Sequence, residues 1–207
     1  DVLTVFAVSG ALVCLYGVAQ YIFGWDTSAA WVDEEMFSDI KMRVYSTLEN
    51  PNVLGEYILL VLPVCIGLVW QKPKKLAKLV YIAMAGIMFA TLILTFSRGC
   101  WIGFMITAGL FVTFVCGKIW GLALIALPFL PMVLPESIIN RIASVGDMKD
   151  SSTSYRVYIW YGSLAMVKDF WASGIGPGTQ AFKSVYPFYS YSGIVAPHSH
   201  NMFLQIL

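Results

Sequence analysis

The chain has 207 residues, of which 58% are hydrophobic and only 12% are charged, and its net charge is +1. Soluble domains carry about 25% charged residues, so this composition argues against a soluble globular protein and favours one that spans a lipid bilayer. The sequence shows no basic stripe of the kind that binds nucleic acid. We therefore expect no nucleic-acid partner.

Apolar segments follow one another along the first 134 residues. A spanning helix needs about 20 largely apolar residues, so we predict about five transmembrane helices within residues 1–134, at 2–23, 53–70, 76–96, 101–116 and 119–134. The fifth segment is short and rich in proline. Residues 201–207 read as the start of a further transmembrane helix, so we expect the chain to be a fragment that ends inside a helix.

Lysines cluster in the short gap between the second and third segments, at Lys72, Lys74, Lys75 and Lys78. Short loops rich in Lys and Arg face the cytoplasm. Counting crossings from this loop places Arg98 and the long region 135–200 on the outer face. The predicted fold is therefore an all-α, polytopic transmembrane protein with a long extracytoplasmic loop, residues 135–200.

The long loop has a helical pattern of its own. After the polar stretch Asp150–Ser154, apolar residues recur at spacings of three and four, namely Val157, Trp160, Leu164, Val167 and Trp171. This period predicts an amphipathic helix over about 155–170, with an N-cap among the preceding polar residues. The segments Gly174–Gly178 and His198–Asn201 follow it.

Two arginines and a pair of histidines are the candidates for chemistry. Taken singly, Arg98 is explained as an anchor whose charge reaches the bilayer surface. Arg156, taken singly, is explained as a solvated surface charge. The predicted topology, however, gathers both with His198 and His200 on one face of the membrane. Arginine suits bidentate capture of phosphate oxygens, and histidine suits general-base work near neutrality. The combination favours a lipid-linked phosphate or diphosphate as substrate.

Two other readings of these motifs are weaker. His198 and His200 could ligate a metal, but no third ligand is suitably spaced, so we predict no metal site and no other cofactor. The backbone amides of Gly174–Gly178 could bind an anion, although a plain turn explains the glycines as well.

The order of the motifs resembles that of the O-antigen ligase and polymerase superfamily. The matching residues are Arg43, Asn50-Pro51-Asn52, Ser97-Arg98-Gly99-Cys100-Trp101, Arg156 with Trp160, Gly174-Ile175-Gly176-Pro177-Gly178 and His198-Ser199-His200-Asn201. Members of this superfamily are integral membrane glycosyltransferases of the bacterial cell envelope. They are multi-pass proteins of the cytoplasmic (inner) membrane whose active site faces outward.

The resemblance implies a reaction and roles for individual residues. A glycan linked to undecaprenyl diphosphate would be transferred to an acceptor hydroxyl without a metal. Arg98 and Arg156 would hold the diphosphate, and His200 would be the base; His198 remains open as an alternative. The residues implied in substrate binding are Arg43, His198, Asn201, Gly176 and Gly178.

Two alternatives stay open at this point. A ligase would use a lipid-anchored core or another envelope molecule as acceptor, whereas a polymerase of the same superfamily would use a second lipid-linked repeat. From another class, a transporter would need ionisable residues near helix midpoints and helices broken at the bilayer centre. Glu56 lies in an early helix turn and the proline-rich fifth segment is the single break, so we favour an enzyme.

Overall fold

The computed structural model describes residues 2–25, 40, 42–71, 74–115, 117, 120–121, 132 and 134–206. Throughout these ranges the regular secondary structure is helical, without strands. The predicted all-α, polytopic fold class is confirmed. The chain divides into two compact units, Asp1–Ala143 and Ser144–Leu207, and each is described by itself.

Four long helices make up most of the first unit. They are α1 (Val2–Phe23), α2 (Pro51–Gln71), α3 (Lys75–Leu94) and α4 (Arg98–Val115). All four are apolar enough and long enough to cross a membrane. A short helix, α5 (Glu136–Ala143), completes the unit. Most of the predicted fifth span, 119–134, lies outside the described residues.

Polar residues decide where two of the long helices begin. At α2, the Asn50 side-chain oxygen accepts a hydrogen bond from the Asn52 amide at 2.9 Å, and Pro51 is the first helical residue. Helix α2 therefore begins two residues before the predicted span at 53, with an asparagine before it and proline in its first turn. Helix α4 begins at Arg98, three residues before the predicted start at 101. The prediction began too late because it was based on hydropathy, which leaves out a charged residue at the start of a helix.

Small residues allow the helices of the first unit to approach closely. A Cβ atom added at Gly10 of α1 would lie 2.5 Å from a Val61 methyl group of α2. The hydroxyl of Thr91 on α3 donates to the carbonyl of Cys14 at 3.1 Å. Small residues and shared hydrogen bonds are the usual means by which transmembrane helices associate.

Lys75 and Arg98 lie at opposite ends of α3. The helix starts at Lys75, ends at Leu94 and has 20 residues, so it is about 30 Å long. Arg98 follows its C-terminal end after a turn of three residues. Which end of α3 faces the cytoplasm and which faces the outside remains a prediction.

The second unit is built around a 20-residue helix, α6 (Ser151–Phe170). Its N-cap is Asp150, whose carboxylate accepts hydrogen bonds from the Ser152 amide and the Thr153 hydroxyl, as the polar stretch predicts. Shorter helices follow: α7 (Thr179–Val185), 3-10 turns at Tyr186–Phe188 and Tyr191–Gly193, and α8 (Met202–Ile206).

The side of α6 that packs within this unit is not the predicted apolar stripe. Its buried residues are Ile159, Gly162, Ser163 and Met166, whereas Leu164 and Trp171 of the stripe are 47% and 76% exposed. A Cβ atom at Gly162 would lie 2.8 Å from both the Tyr186 ring and the Tyr189 carbonyl oxygen. Helix α6 can therefore approach these tyrosines closely only through the side that carries Gly162.

Candidate active site

Arg98 follows a tight turn between α3 and α4, formed by Thr95, Phe96 and Ser97 and called the α3–α4 turn below. Phe96 has a left-handed backbone, with φ of 49°, which is unfavourable for a bulky side chain. Arg98 is the first residue of α4 and is partly exposed. A helix N-terminus attracts anions through its backbone amides, so this turn places a guanidinium where a phosphate group is favoured.

Hydrogen bonds join the α3–α4 turn to the start of α2. The Ser97 hydroxyl donates to the Asn52 side-chain oxygen at 2.9 Å, and that oxygen also accepts from the Arg43 guanidinium at 3.0 Å. Arg43 in addition donates through Nε to the Thr95 carbonyl at 2.8 Å. The predicted motifs around Arg43, Asn52 and Ser97 are thus brought together in the structure.

Arg43 is 8% exposed. A buried guanidinium must be hydrogen-bonded to offset its lost hydration, and here its known partners are groups of the protein itself. The structure therefore gives Arg43 a role in holding helix ends, next to the residue predicted to bind the diphosphate.

Sequence reasoning missed a further arginine at this turn. Arg141, on α5, is 5% exposed and donates through Nε to the Phe96 carbonyl at 3.4 Å. Ile138, one turn earlier on α5, packs against the buried cluster of Ile40 and Phe96. A signal was available, since Arg141 is the single basic residue in a short helix that also holds Ile138 and Ile139, but its partner lies 45 residues away.

In the second unit, His200 packs beside the first turns of α6. The imidazole lies edge-on to the Tyr155 ring, with 5.7 Å between ring centroids. Its centroid lies 4.0 Å from that of His198. Arg156, the next residue along α6, is exposed. The predicted residues Arg156, His198 and His200 therefore belong to one cluster.

The environment of His200 favours its neutral form. His200 is exposed, but partial desolvation of its ring, followed by repulsion from His198 and from the Arg156 charge, lowers the pKa of His200 from 6.5 to about 4. At neutral pH the imidazole then carries one nitrogen with a free lone pair, as a proton acceptor needs. The low pKa also makes it a weaker base than an unperturbed histidine.

The backbone around His200 is held in an unusual conformation. His200 has a φ of 52°, and its amide donates to His198 Nδ1 at 3.2 Å. The Ser199 amide donates to the Gln205 side chain at 2.9 Å. Strained backbone that persists in a native structure is often found at functional sites, which agrees with a role for this histidine.

The other residues predicted for substrate binding are placed as follows. The Asn201 side-chain oxygen accepts from the amides of Phe203 and Leu204 and so caps α8. Gly176 and Gly178 are exposed, with φ of 93° and 89°, a backbone conformation that other residues rarely adopt. Their turn leads directly into α7.

No group of three or more His, Cys, Asp and Glu residues suited to a metal ion occurs among the described residues. Metal independence stays a prediction.

The chain was compared with known proteins. Residues 83–207, more than half of the chain, match the Wzy_C family model, described as O-Antigen ligase. The chain therefore belongs to the O-antigen ligase family. No curated protein and no solved structure matches it.

Family membership establishes the class of protein. The chain is a multi-pass bacterial membrane protein of the O-antigen ligase and polymerase type, with a glycosyltransferase-like role in polysaccharide assembly and lipid-linked glycans as substrates. Arg98, Arg141, Arg156, His198 and His200 all lie inside the matched residues, whereas Arg43 precedes them.

Proposed function

We propose that this protein transfers a glycan from undecaprenyl diphosphate to an acceptor hydroxyl on the outer face of the cytoplasmic membrane. His200 is the general base, and Arg98 and Arg156 bind the diphosphate of the donor. The acceptor oxygen forms a bond to the anomeric carbon of the glycan as the bond from that carbon to the diphosphate oxygen breaks. His200 takes the hydroxyl proton, and undecaprenyl diphosphate leaves.

The observation that carries this proposal is the cluster that His200 forms with Tyr155, His198 and Arg156. An acceptor hydroxyl is a weak nucleophile, and a positioned base contributes about 10²–10⁴-fold to such a step. An arginine near the base can stabilise the charge that accumulates on the departing diphosphate. The exposed guanidinium of Arg156 and the partly exposed one of Arg98 both suit planar, two-point contact with phosphate oxygens.

Arginines take the place that a cation fills in many phosphate-handling enzymes. We therefore propose a metal-independent reaction. His198, Asn201, Gly176 and Gly178 are proposed as contacts to the glycan or the acceptor, with His198 supporting the base from 4.0 Å away, measured between ring centroids.

The positions of charged residues support an enzyme over a transporter. In the four described spanning helices, Asp, Glu, Lys and Arg occur only near helix starts, at Glu56, Lys75, Lys78 and Arg98. A transporter of ions or charged substrates places such residues near the bilayer midplane.

A transfer assay tests the proposal. The protein is reconstituted in liposomes with an undecaprenyl diphosphate-linked glycan carrying a radiolabel, with a lipid-anchored core oligosaccharide as acceptor. We expect label to move to the acceptor and free undecaprenyl diphosphate to appear in equal amount. One glycan per acceptor identifies a ligase, whereas a ladder of lengths formed from donor alone identifies a polymerase. Absence of transfer both in the mixture of donor and acceptor and in the mixture with donor alone contradicts the proposal.

A further inference from the structure

The α3–α4 turn is held from two sides by buried arginines. Arg43 donates to the carbonyl of Thr95, and Arg141 donates to the carbonyl of the next residue, Phe96. Both arginines are buried, at 8% and 5% exposure of the whole residue. Two consecutive carbonyls at the end of α3 are thus bound by cations from two segments distant in sequence.

This arrangement matters because the turn has an unfavourable backbone. A left-handed conformation at a residue such as Phe96 costs free energy and persists only where its surroundings enforce it. The groups placed to hold it are the two guanidiniums, the Trp101 ring beside Phe96, and Ile138, which packs on the cluster of Ile40 and Phe96. The direction in which Arg98 leaves the turn depends on this conformation.

We propose that Arg141, together with Arg43, is a positioning residue for Arg98. It acts by fixing the Phe96 carbonyl and hence the first turn of α4, and not by contact with the substrate. This inference rests on the proposed function, in which Arg98 binds the diphosphate of the donor. It assigns to the reaction a residue, Arg141, that no sequence motif indicated.

A double-mutant cycle separates positioning from general destabilisation. Arg141→Gln removes the guanidinium and keeps a polar side chain. Loss of one charge-assisted hydrogen bond at the turn should lower glycan transfer by about ten- to a hundredfold. In the Arg98→Gln background the same change should have little further effect, because the residue it positions is already absent. The control is Lys149→Gln, which removes an exposed cation of the same charge and should leave transfer unchanged.

A second readout does not depend on catalysis. Hydrogen exchange is measured on the protein in nanodiscs for peptides that cover residues 95–101. Arg141→Gln should speed exchange at this turn and leave peptides at the start of α3, near Lys75, unchanged. If Arg141→Gln does not accumulate in the membrane, Arg141→Lys replaces it in both experiments, since it keeps the charge and removes the Nε donor.

The outcomes are distinct. Wild-type levels of transfer in Arg141→Gln, or multiplicative losses in the double variant, overturn the positioning role. Unchanged exchange at residues 95–101 overturns it as well. If wild-type protein transfers no glycan at all, the proposed function fails, while the exchange experiment still decides whether Arg141 holds the turn.

Discussion

The imidazole of His200 packs edge-on against the ring of Tyr155, with ring centroids 5.7 Å apart and an interplanar angle of 70°. The Tyr155 hydroxyl donates to the carbonyl of Val195 at 3.0 Å, so one side chain of α6 holds both the histidine and the segment that leads to it. Burial raises the pKa of Tyr155, which keeps this hydroxyl protonated and able to donate. Arg156 is the next residue on the same helix.

The first prediction concerns the protonation of His200. The chain has two histidines, so histidine-selective ¹³C labelling gives two NMR signals, which His198→Gln assigns. Because the pKa of His200 is lowered to about 4, its signal should not titrate between pH 8 and about 5. Transfer should fall only as the pH drops through about 4, where the base becomes protonated. A titration of His200 near 6.5, the value of an unperturbed histidine, would contradict the described packing.

The second prediction separates the two contributions of Tyr155. Tyr155→Phe keeps the ring against His200 and removes one hydrogen bond, so transfer should fall about two- to tenfold while the pKa of His200 stays low. Tyr155→Ala removes the ring that packs on one side of the imidazole and should raise that pKa toward 6.5. The matched control is Tyr161→Phe on the exposed side of α6, which should change neither quantity. An unchanged His200 titration in Tyr155→Ala would show that the ring does not desolvate the base.

The third prediction concerns the phosphate-binding arginines. Lysine keeps the charge of Arg98 and Arg156 but loses the planar fork that meets two oxygens. Arg→Lys should therefore fail nearly as badly as Arg→Ala, with transfer reduced about ten- to over a hundredfold. Lys168→Ala, on the same helix as Arg156, is the control and should retain activity. Near-normal transfer by both lysine variants, at equal expression, would mean that these residues are only surface anchors.

The fourth prediction concerns the packing of α2 on α4. A Cβ atom at Gly55 would lie 2.6 Å from Cys100 Sγ, so Gly55→Ala should destabilise the protein by about 1–3 kcal/mol. Gly86→Ala, in α3 with nothing within 4 Å, should be neutral or stabilising because alanine favours helices. Thermal unfolding in detergent measures both. Cys100→Ala should restore part of the stability of Gly55→Ala; equal unfolding temperatures for the two glycine variants would contradict the close helix contact.

Hydropathy predicted the long helices because a chain in lipid must satisfy its backbone groups within helices. Hydropathy predicted the residues at which these helices end less accurately. The third span was expected to reach residue 96, but α3 ends at Leu94, where the left-handed turn at Phe96 follows. The predicted stripe on α6 also missed the packed side, because Gly162 and Ser163 contribute little hydrophobicity, although the small size of Gly162 permits the tyrosine contacts.

The candidate site was predicted only in part for a related reason. Arg98, Arg156 and the histidines carry motifs that one sequence displays. The hydrogen bonds from Arg43 to Thr95 and from Arg141 to Phe96 join residues 52 and 45 positions apart, and such tertiary contacts leave no local periodicity. The low pKa of His200 likewise depends on desolvation of its ring and on the nearby His198 and Arg156, and Arg156 comes close to it only when the chain folds.

The measurement that tests the central claim most directly is glycan transfer by His200→Gln. Glutamine still forms hydrogen bonds but cannot take a proton near neutral pH. We expect the variant to insert normally and to bind the undecaprenyl diphosphate-linked donor as wild type does, while transfer falls by about 10²–10⁴-fold; His198→Gln should be milder. Full transfer by His200→Gln would contradict the general-base role of His200, and if His198→Gln then abolished transfer, the base would be His198 instead.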